Sequence, residues 1–407
     1  MKILSESLVT VSPPKQPPEI ELLLCCARTQ MQSEYAERIR DLVQQNLDWD
    51  YLVQAAQWHG VMPLLYWQLK DICREAVPQG VLAQLGSAFN ANAQKNLVLT
   101  GELLKLLKIF KSNAIPVIAF KGPVLATYAY KHIALRTFVD LDILVSEQFV
   151  PQAGKLLSAQ GYEPQFNLTE TQTLSYINIR NEHMFWRRDK QITVDLHWNL
   201  LPKHFSFSDN TTLAALGDER VDFGSNIVET LSAENLLLFL CAHGSKDSWW
   251  RLKAICDLAE LIRSHPDLDW DAIEAQSGKL GTRRMLLLGL YLCQALLGTV
   301  LPEKVSQQVQ SNPQVKLLAS QVQQQMFSPR DGENKLLKQN LIYLKTMESL
   351  RDRIWFYWDT VMTPTPLEWA MVPLPSWLFP LYYPIRAIRL TIKHVMMKDT
   401  GFRGSAK

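Results

Sequence analysis

Most of this chain carries apolar residues at the three- and four-residue spacing of amphipathic helices, and two stretches near its middle replace that rhythm with strand-like runs. The first is IPVIAFKGPVLATYAYKHIALRTFVDLDILV, residues 115–145. Ile115–Phe120 is apolar and partly β-branched, which predicts a buried strand. Lys121-Gly122-Pro123 ends it. Glycine permits close backbone approach or a positive φ, and proline suits the first turn of a helix, predicted over Val124–Lys131. Phe138–Val145 predicts a second strand, with Val139, Leu141, Ile143 and Val145 on one face and Asp140 and Asp142 on the other. A helix is predicted over Ser146–Gly161, with Ser146 as N-cap and Gly161 as its stop, and a looser segment over Tyr162–Asn181. The second stretch predicts a hairpin, Glu182–Arg187 and Gln191–Asn199, around the polar turn Arg188-Asp189-Lys190. On its second strand Ile192, Val194, Leu196 and Trp198 share one face, and Thr193, Asp195, His197 and Asn199 share the other.

Helical patterning flanks this region on both sides. Residues 20–48 and 48–69 read as helices, and Ala91–Asn113 as a long helix feeding the Ile115 strand. From Leu231 two helices meet across a Gly-Ser-Lys-Asp-Ser loop, and 303–345 is helical and polar. The prolines of Thr363–Pro384, set among Trp and Tyr, exclude a continuous spanning helix there. Met285–Leu301 is the strongest candidate for a membrane span. It is at the short limit for crossing a bilayer and contains Gln294 and two glycines, so it predicts a buried helix. The expected divisions are a disordered leader over 1–19, an N-terminal helical region over 20–113, a core over 114–230, a C-terminal helical domain over 231–345, and a proline- and aromatic-rich tail over 346–407 packed on the core.

The 407 residues suffice for two or three domains, and the net charge of +2 argues against a long polynucleotide as partner. Six cysteines form no Cys-x-x-Cys pair, which points to reduced core thiols in a cytoplasmic protein. The N-terminus shows no secretory signal.

The chemistry begins with Asp140 and Asp142. Two carboxylates at i and i+2 sit side by side on one strand face, which is costly in a buried sheet unless something positive holds them. A divalent ion with hard oxygen ligands, Mg²⁺ above all, is one answer, and an acidic, solvated strand end is the other. A glycine turn at a helix mouth is able to cradle phosphate on backbone N–H groups. His59 reads as a core or capping histidine. His243, Lys246, Trp249, Arg251 and Lys253 cluster where the two later helices meet; a base there could reach a triphosphate and a Trp could stack on a nucleobase, or the corner is ordinary packing. Asp257 is expected to pair with a basic side chain.

Lys121-Gly122, the helix with Tyr128 and Tyr130, Leu135-Arg136, and Asp140-Leu141-Asp142-Ile143-Leu144-Val145 together resemble the uncharacterised nucleotidyltransferase family of the DNA polymerase β-like superfamily. The resemblance extends through the hairpin, with its Asp-x-His-Trp, and over nearly the whole chain. It implies an α+β fold, a small mixed-sheet nucleotidyltransferase core flanked by N-terminal and C-terminal helical regions. It implies that Asp140, Asp142 and, as the third carboxylate, Asp195 bind two Mg²⁺ ions and act catalytically. It implies nucleotide binding by Lys121, Gly122 and Arg136. His183 and His197 would orient a carboxylate or touch the leaving phosphate, or else form a polar pair filling the cleft wall. The superfamily at large has Gly-Ser where this chain has Lys121-Gly122-Pro123, so the serine contact to phosphate is absent. The implied reaction moves an NMP from an NTP, expected to be ATP, to a hydroxyl acceptor and releases pyrophosphate. A small molecule or protein is the expected acceptor. The rival reading is a catalytically silent nucleotide- or partner-binding module. The tail, with Arg386, Arg389 and Lys393, is expected to pack on the protein in preference to resting on a membrane surface.

Overall fold

The structure, a computed structural model, describes residues 16–202, 213, 217, 219–328, 335–372 and 374–401. Most of the expected leader, residues 1–15, lies outside the described residues, and the first helix among the described residues begins at Pro18. Four short helices come first among the described residues: α1 (Pro18–Cys26), α2 (Ser33–Val43), α3 (Trp49–His59) and α4 (Met62–Ile72). Gly60, at φ +71°, separates the last two in the left-handed conformation that ends a helix. Then α5 (Gln79–Ser112) runs for 34 residues, about 50 Å, beginning more than three turns before the predicted Ala91. Its C-terminal half buries Leu99, Leu103, Leu106 and Phe110 at helical spacing.

A five-stranded mixed sheet follows, in the order β1-β2-β5-β4-β3. Its strands are β1 (Val117–Ala119), β2 (Asp140–Val145), β3 (Glu163–Pro164), β4 (Glu182–Arg187) and β5 (Ile192–His197). β1 is antiparallel to β2, β2 is parallel to β5, and β4 is antiparallel to both β5 and β3. Parallel pairing requires a crossover, and it is supplied by α7 (Val150–Ala159) and α8 (Glu170–Ile179), with β3 and β4 between β2 and β5 in the chain. One sheet face is closed by Leu141, Ile143, Val145, Val194 and Leu196, all at 0 % exposure. The other carries Asp142, Asp195 and His197. A second, two-stranded sheet pairs β6 (Glu219–Asp222) with β7 (Ile227–Thr230).

The helix predicted from Ser146 is a 3₁₀ turn, Glu147–Phe149, leading into α7, which takes Pro151 in its first turn. The segment predicted to be loose contains β3 and α8, the latter started by a reciprocal Thr169–Gln172 capping box. The hairpin turn holds four residues, 188–191, where three were predicted, because Gln191 sits at φ +53° and belongs to the turn, so Arg187 pairs with Ile192. A register shift of one residue moves every side chain to the opposite face relative to its partner strand.

After the sheet, α9 (Ala233–Lys246) and α10 (Leu252–Ser264) pack beside it. They are followed by α11 (Trp270–Leu280), α12 (Arg283–Leu297), α13 (Glu303–Ser311) and α14 (Pro313–Met326). The apolar run from Met285 forms the buried α12, and no helix among the described residues is long and apolar enough to cross a membrane. The tail is folded as well: α15 (Lys335–Thr346), α16 (Leu350–Met362), α17 (Pro366–Met371), a 3₁₀ turn at Ser376–Leu381, and α18 (Tyr382–Gly401). Arg386 and Arg389, two of the three cations considered for a membrane surface, both engage the buried Glu368, and the side chain of the third, Lys393, lies outside the described residues. The expected tail beyond Gly401, residues 402–407, lies outside the described residues.

Candidate functional site

The turn after β1 builds one edge of the site. Gly122 has φ +50°, and a Cβ there would stand 3.0 Å from the backbone oxygen of Asp140. Glycine is therefore needed twice over, for the left-handed backbone and for the close approach to β2. Pro123 fills the first turn of α6 (Gly122–Tyr128), which leaves that helix one amide hydrogen fewer at its mouth.

Arg136 fixes this turn from behind. It is 4 % exposed; its Nε and Nη2 donate to the two oxygens of Asp257 at 2.7 and 2.9 Å, and Nη1 donates to the Gly122 carbonyl at 3.2 Å. Tyr130 donates to the same carboxylate at 2.7 Å. Arg136, expected among the nucleotide-binding residues, is thus turned inward, and its guanidinium is held by α10 and by the turn. Asp257 has the basic partner the sequence suggested.

Across the parallel pair, Asp142 is in direct register with Asp195, and Asp140 with Thr193. Asp142, Asp195 and His197 form a group whose ligand atoms all lie within 4.8 Å of one another. Asp140 lies at the start of β2, on the same strand face and two residues before Asp142, and is not one of the three.

Asp142 is the centre of charge. Lys121 Nζ lies 2.6 Å from its Oδ1 and His197 Nε2 lies 3.3 Å from the same oxygen. Burial alone would raise this carboxyl; the Lys121 ammonium and the His197 hydrogen bond outweigh it and hold Asp142 well below the usual carboxylate range. Asp195 goes the other way. Burial and the neighbouring charges of Asp142, Asp140 and Glu182 push it up to about 7, against a partial offset from His197. Phe120 and Phe239 form an apolar wall beside this group, with ring centroids 5.1 Å apart, and Phe120 meets the His197 ring edge-on at 5.2 Å.

His183, expected beside Asp195, is on the other face. In the observed register it pairs with Leu196, packed among Phe166, Tyr176 and Phe185, and burial lowers its pKa to about 4. Glu182 takes the place facing His197, with Oε2 3.2 Å from Nδ1 but out of hydrogen-bonding alignment, and Lys246 Nζ is 4.0 Å from its other oxygen. Glu182 was missed because its face depends on the turn length.

The corner between α9 and α10 splits in the same way. Trp249 is fully buried against Gly244 and Gly289, so it is core. Trp250 meets Trp58 edge-on, and Arg251 covers both rings. His59 accepts a hydrogen bond from the Leu252 amide and so caps α10. Burial and the Arg136 charge lower the pKa of Lys253 to about 8, and it also feels Asp257, Asp140 and Lys121.

The donor set suits a divalent cation. Asp142 Oδ2 is buried without a hydrogen-bond partner among the described residues, a costly state that a cation relieves. Carboxylate oxygens match hard ions, and an imidazole is also able to ligate or to orient a ligand.

A mixed sheet with these acids on one face, flanked by helices at both ends of the chain, is the architecture of a nucleotidyltransferase core. A family model described as an uncharacterised nucleotidyltransferase matches residues 45–298, more than half of the chain, and the chain belongs to that family. No curated protein matches it.

Proposed function

We propose that the protein is a metal-dependent nucleotidyltransferase that moves an NMP from an NTP, ATP in the first instance, to a hydroxyl acceptor in the cytoplasm. The observation that carries this reading is the register of Asp142 against Asp195 across β2 and β5, with Asp140 on the same face and His197 within reach. Asp140, Asp142 and Asp195 would hold two Mg²⁺ ions. When bound, those ions supply charge stabilisation for in-line displacement at the α-phosphorus.

Each chain residue then has a separate task. The acceptor oxygen forms the new bond to the α-phosphorus, the bond from that phosphorus to the bridging oxygen breaks, and pyrophosphate leaves. The acceptor proton passes to an Asp195 oxygen. Lys121 would supply its ammonium to the phosphates. Lys253 supplies a second ammonium on that side. Gly122 offers its backbone to the triphosphate, Arg136 keeps the turn in place through its carbonyl, and His197 orients Asp142.

One observation favours the silent-module reading. Lys121 already neutralises Asp142 at 2.6 Å, so the buried charge is compensated without a metal. Incubation with α-labelled NTPs, Mg²⁺ and cell lysate separates the two. Label transferred by the wild type and lost in Asp142→Asn supports the transferase. Nucleotide binding without transfer to any acceptor supports the silent module.

A further inference from the structure

A cavity of about 1110 Å³ opens from Asp195 between the sheet and α16. Lys121, Gly122, Asp140 and Asp142 do not line it; Asp195, Glu182 and Met184, on β5 and β4, do. It therefore reaches the acid cluster from the side away from the glycine turn, where the proposed function needs an acceptor. Its outer wall comes from α15 and α16, beyond the family match that ends at residue 298.

The wall has a particular chemistry. Trp355 and Trp358, 52 % and 50 % exposed, are three residues apart on α16 and so share a helix face. Tyr343 and Tyr176 add aromatic surface. Asn178, Asn181 and Asn340 also line the cavity, and their side chains make no hydrogen bond among the described residues. The three bases present are each near a carboxylate: Arg180 with Asp359 at 3.3 Å, Lys246 with Glu182 at 4.0 Å and Arg351 with Asp352 at 3.6 Å. With Asp195 and Asp247 also in the lining, carboxylates outnumber these bases, which selects against a polyphosphate or any other anion. What the wall offers is flat π-faces and amides.

We infer that this chamber is the acceptor subsite and takes a neutral glycan. A pyranose presents C–H bonds on its faces, which suit the negative π-cloud of an indole, and hydroxyls around its rim, which suit amides. One rim hydroxyl would then face Asp195. The inference rests on the proposed function for its reaction, but its binding test does not need transfer.

The test uses arrays of immobilised neutral and anionic glycans, with an array of Ser-, Thr- and Tyr-containing peptides beside them. The full chain, its Asp142→Asn variant and a Trp355→Ala/Trp358→Ala variant are applied to each. The two tryptophans are half-exposed, so circular dichroism of the double variant should match the wild type. The expected result is retention on neutral glycans by the wild type and by Asp142→Asn, with at least tenfold weaker retention of the double variant. Retention on no glycan, on anionic glycans only, on peptides only, or equally by the double variant overturns the assignment. Neutral-glycan retention without NMP transfer leaves the subsite standing and removes the transferase. NMP transfer to a peptide hydroxyl without glycan retention does the reverse.

Discussion

Replacing Lys121 by methionine tests the electrostatic core of the site. The substitution keeps most of the side-chain volume and removes the ammonium 2.6 Å from Asp142, whose side chain is 1 % exposed. Deleting one partner of a buried pair leaves an uncompensated charge and costs about 3–5 kcal/mol. With an unfolding entropy of about 2.1 cal/mol/K per residue over 407 residues, a single cooperative unit loses roughly 4–6 °C in Tm. The same deletion removes the competitor for a cation. In the wild type the Lys121 ammonium repels a cation arriving at Asp142, and in the variant it does not. About 1.4 kcal/mol of that difference is enough to tighten Mg²⁺ or Mn²⁺ binding tenfold. Calorimetric titration of both proteins with Mn²⁺, with thermal melts at each concentration, reads both effects. The variant should melt lower without metal and gain more than the wild type on its addition. Equal metal affinity in the two proteins refutes the competition, and an unchanged metal-free Tm refutes the claim that Lys121 is what makes Asp142 tolerable.

Three further tests address neighbouring parts. His183 has a folded pKa of about 4, below the ordinary 6.5, so its contribution is present above pH 6.5 and is lost as pH falls through 4; denaturant titrations should find about 3 kcal/mol of relative loss that His183→Phe lacks, with metal binding unchanged. Gly122→Ala forces a Cβ to 3.0 Å from the Asp140 oxygen at φ +50° and should cost about 1–2 kcal/mol or more by denaturant melt, together with NTP affinity. Lys253 loses its proton at about 8, so if it meets the triphosphate the KM for NTP rises as pH passes 8, and Lys253→Met should flatten that rise.

Much of the site could be read directly from the sequence. The alternation in residues 140–145 and 192–197 placed Asp142 and Asp195 on polar strand faces, because a strand buried on one side has period two. The mixed sheet with helical flanks followed from the resemblance and from the helical spacing around it. What was not legible depends on distance in the chain. Arg136 meets Asp257, 121 residues away, and nothing local to Leu135-Arg136 says that the guanidinium points inward. The helix at 170–179 lacks a strong apolar stripe, and its only local signal, Thr169 three residues before Gln172, is a weak one. The chamber wall on α16 belongs to a tail without strand or clean helical period, so only tertiary structure brings Trp355 and Trp358 to the sheet.

The turn at 188–191 gives the chain an unusual constraint on change. Surface loops ordinarily tolerate insertion and deletion because little depends on their length. Here length carries parity. If β4 stays in place, losing or gaining one residue sets the buried face of β5 against its registration with β4, and Asp195 and His197 compete with Val194 and Leu196 for the same side. Two residues more or fewer preserve the faces. Among diverging copies of this chain, lengths of that turn should therefore differ in steps of two, while the sequence within it drifts.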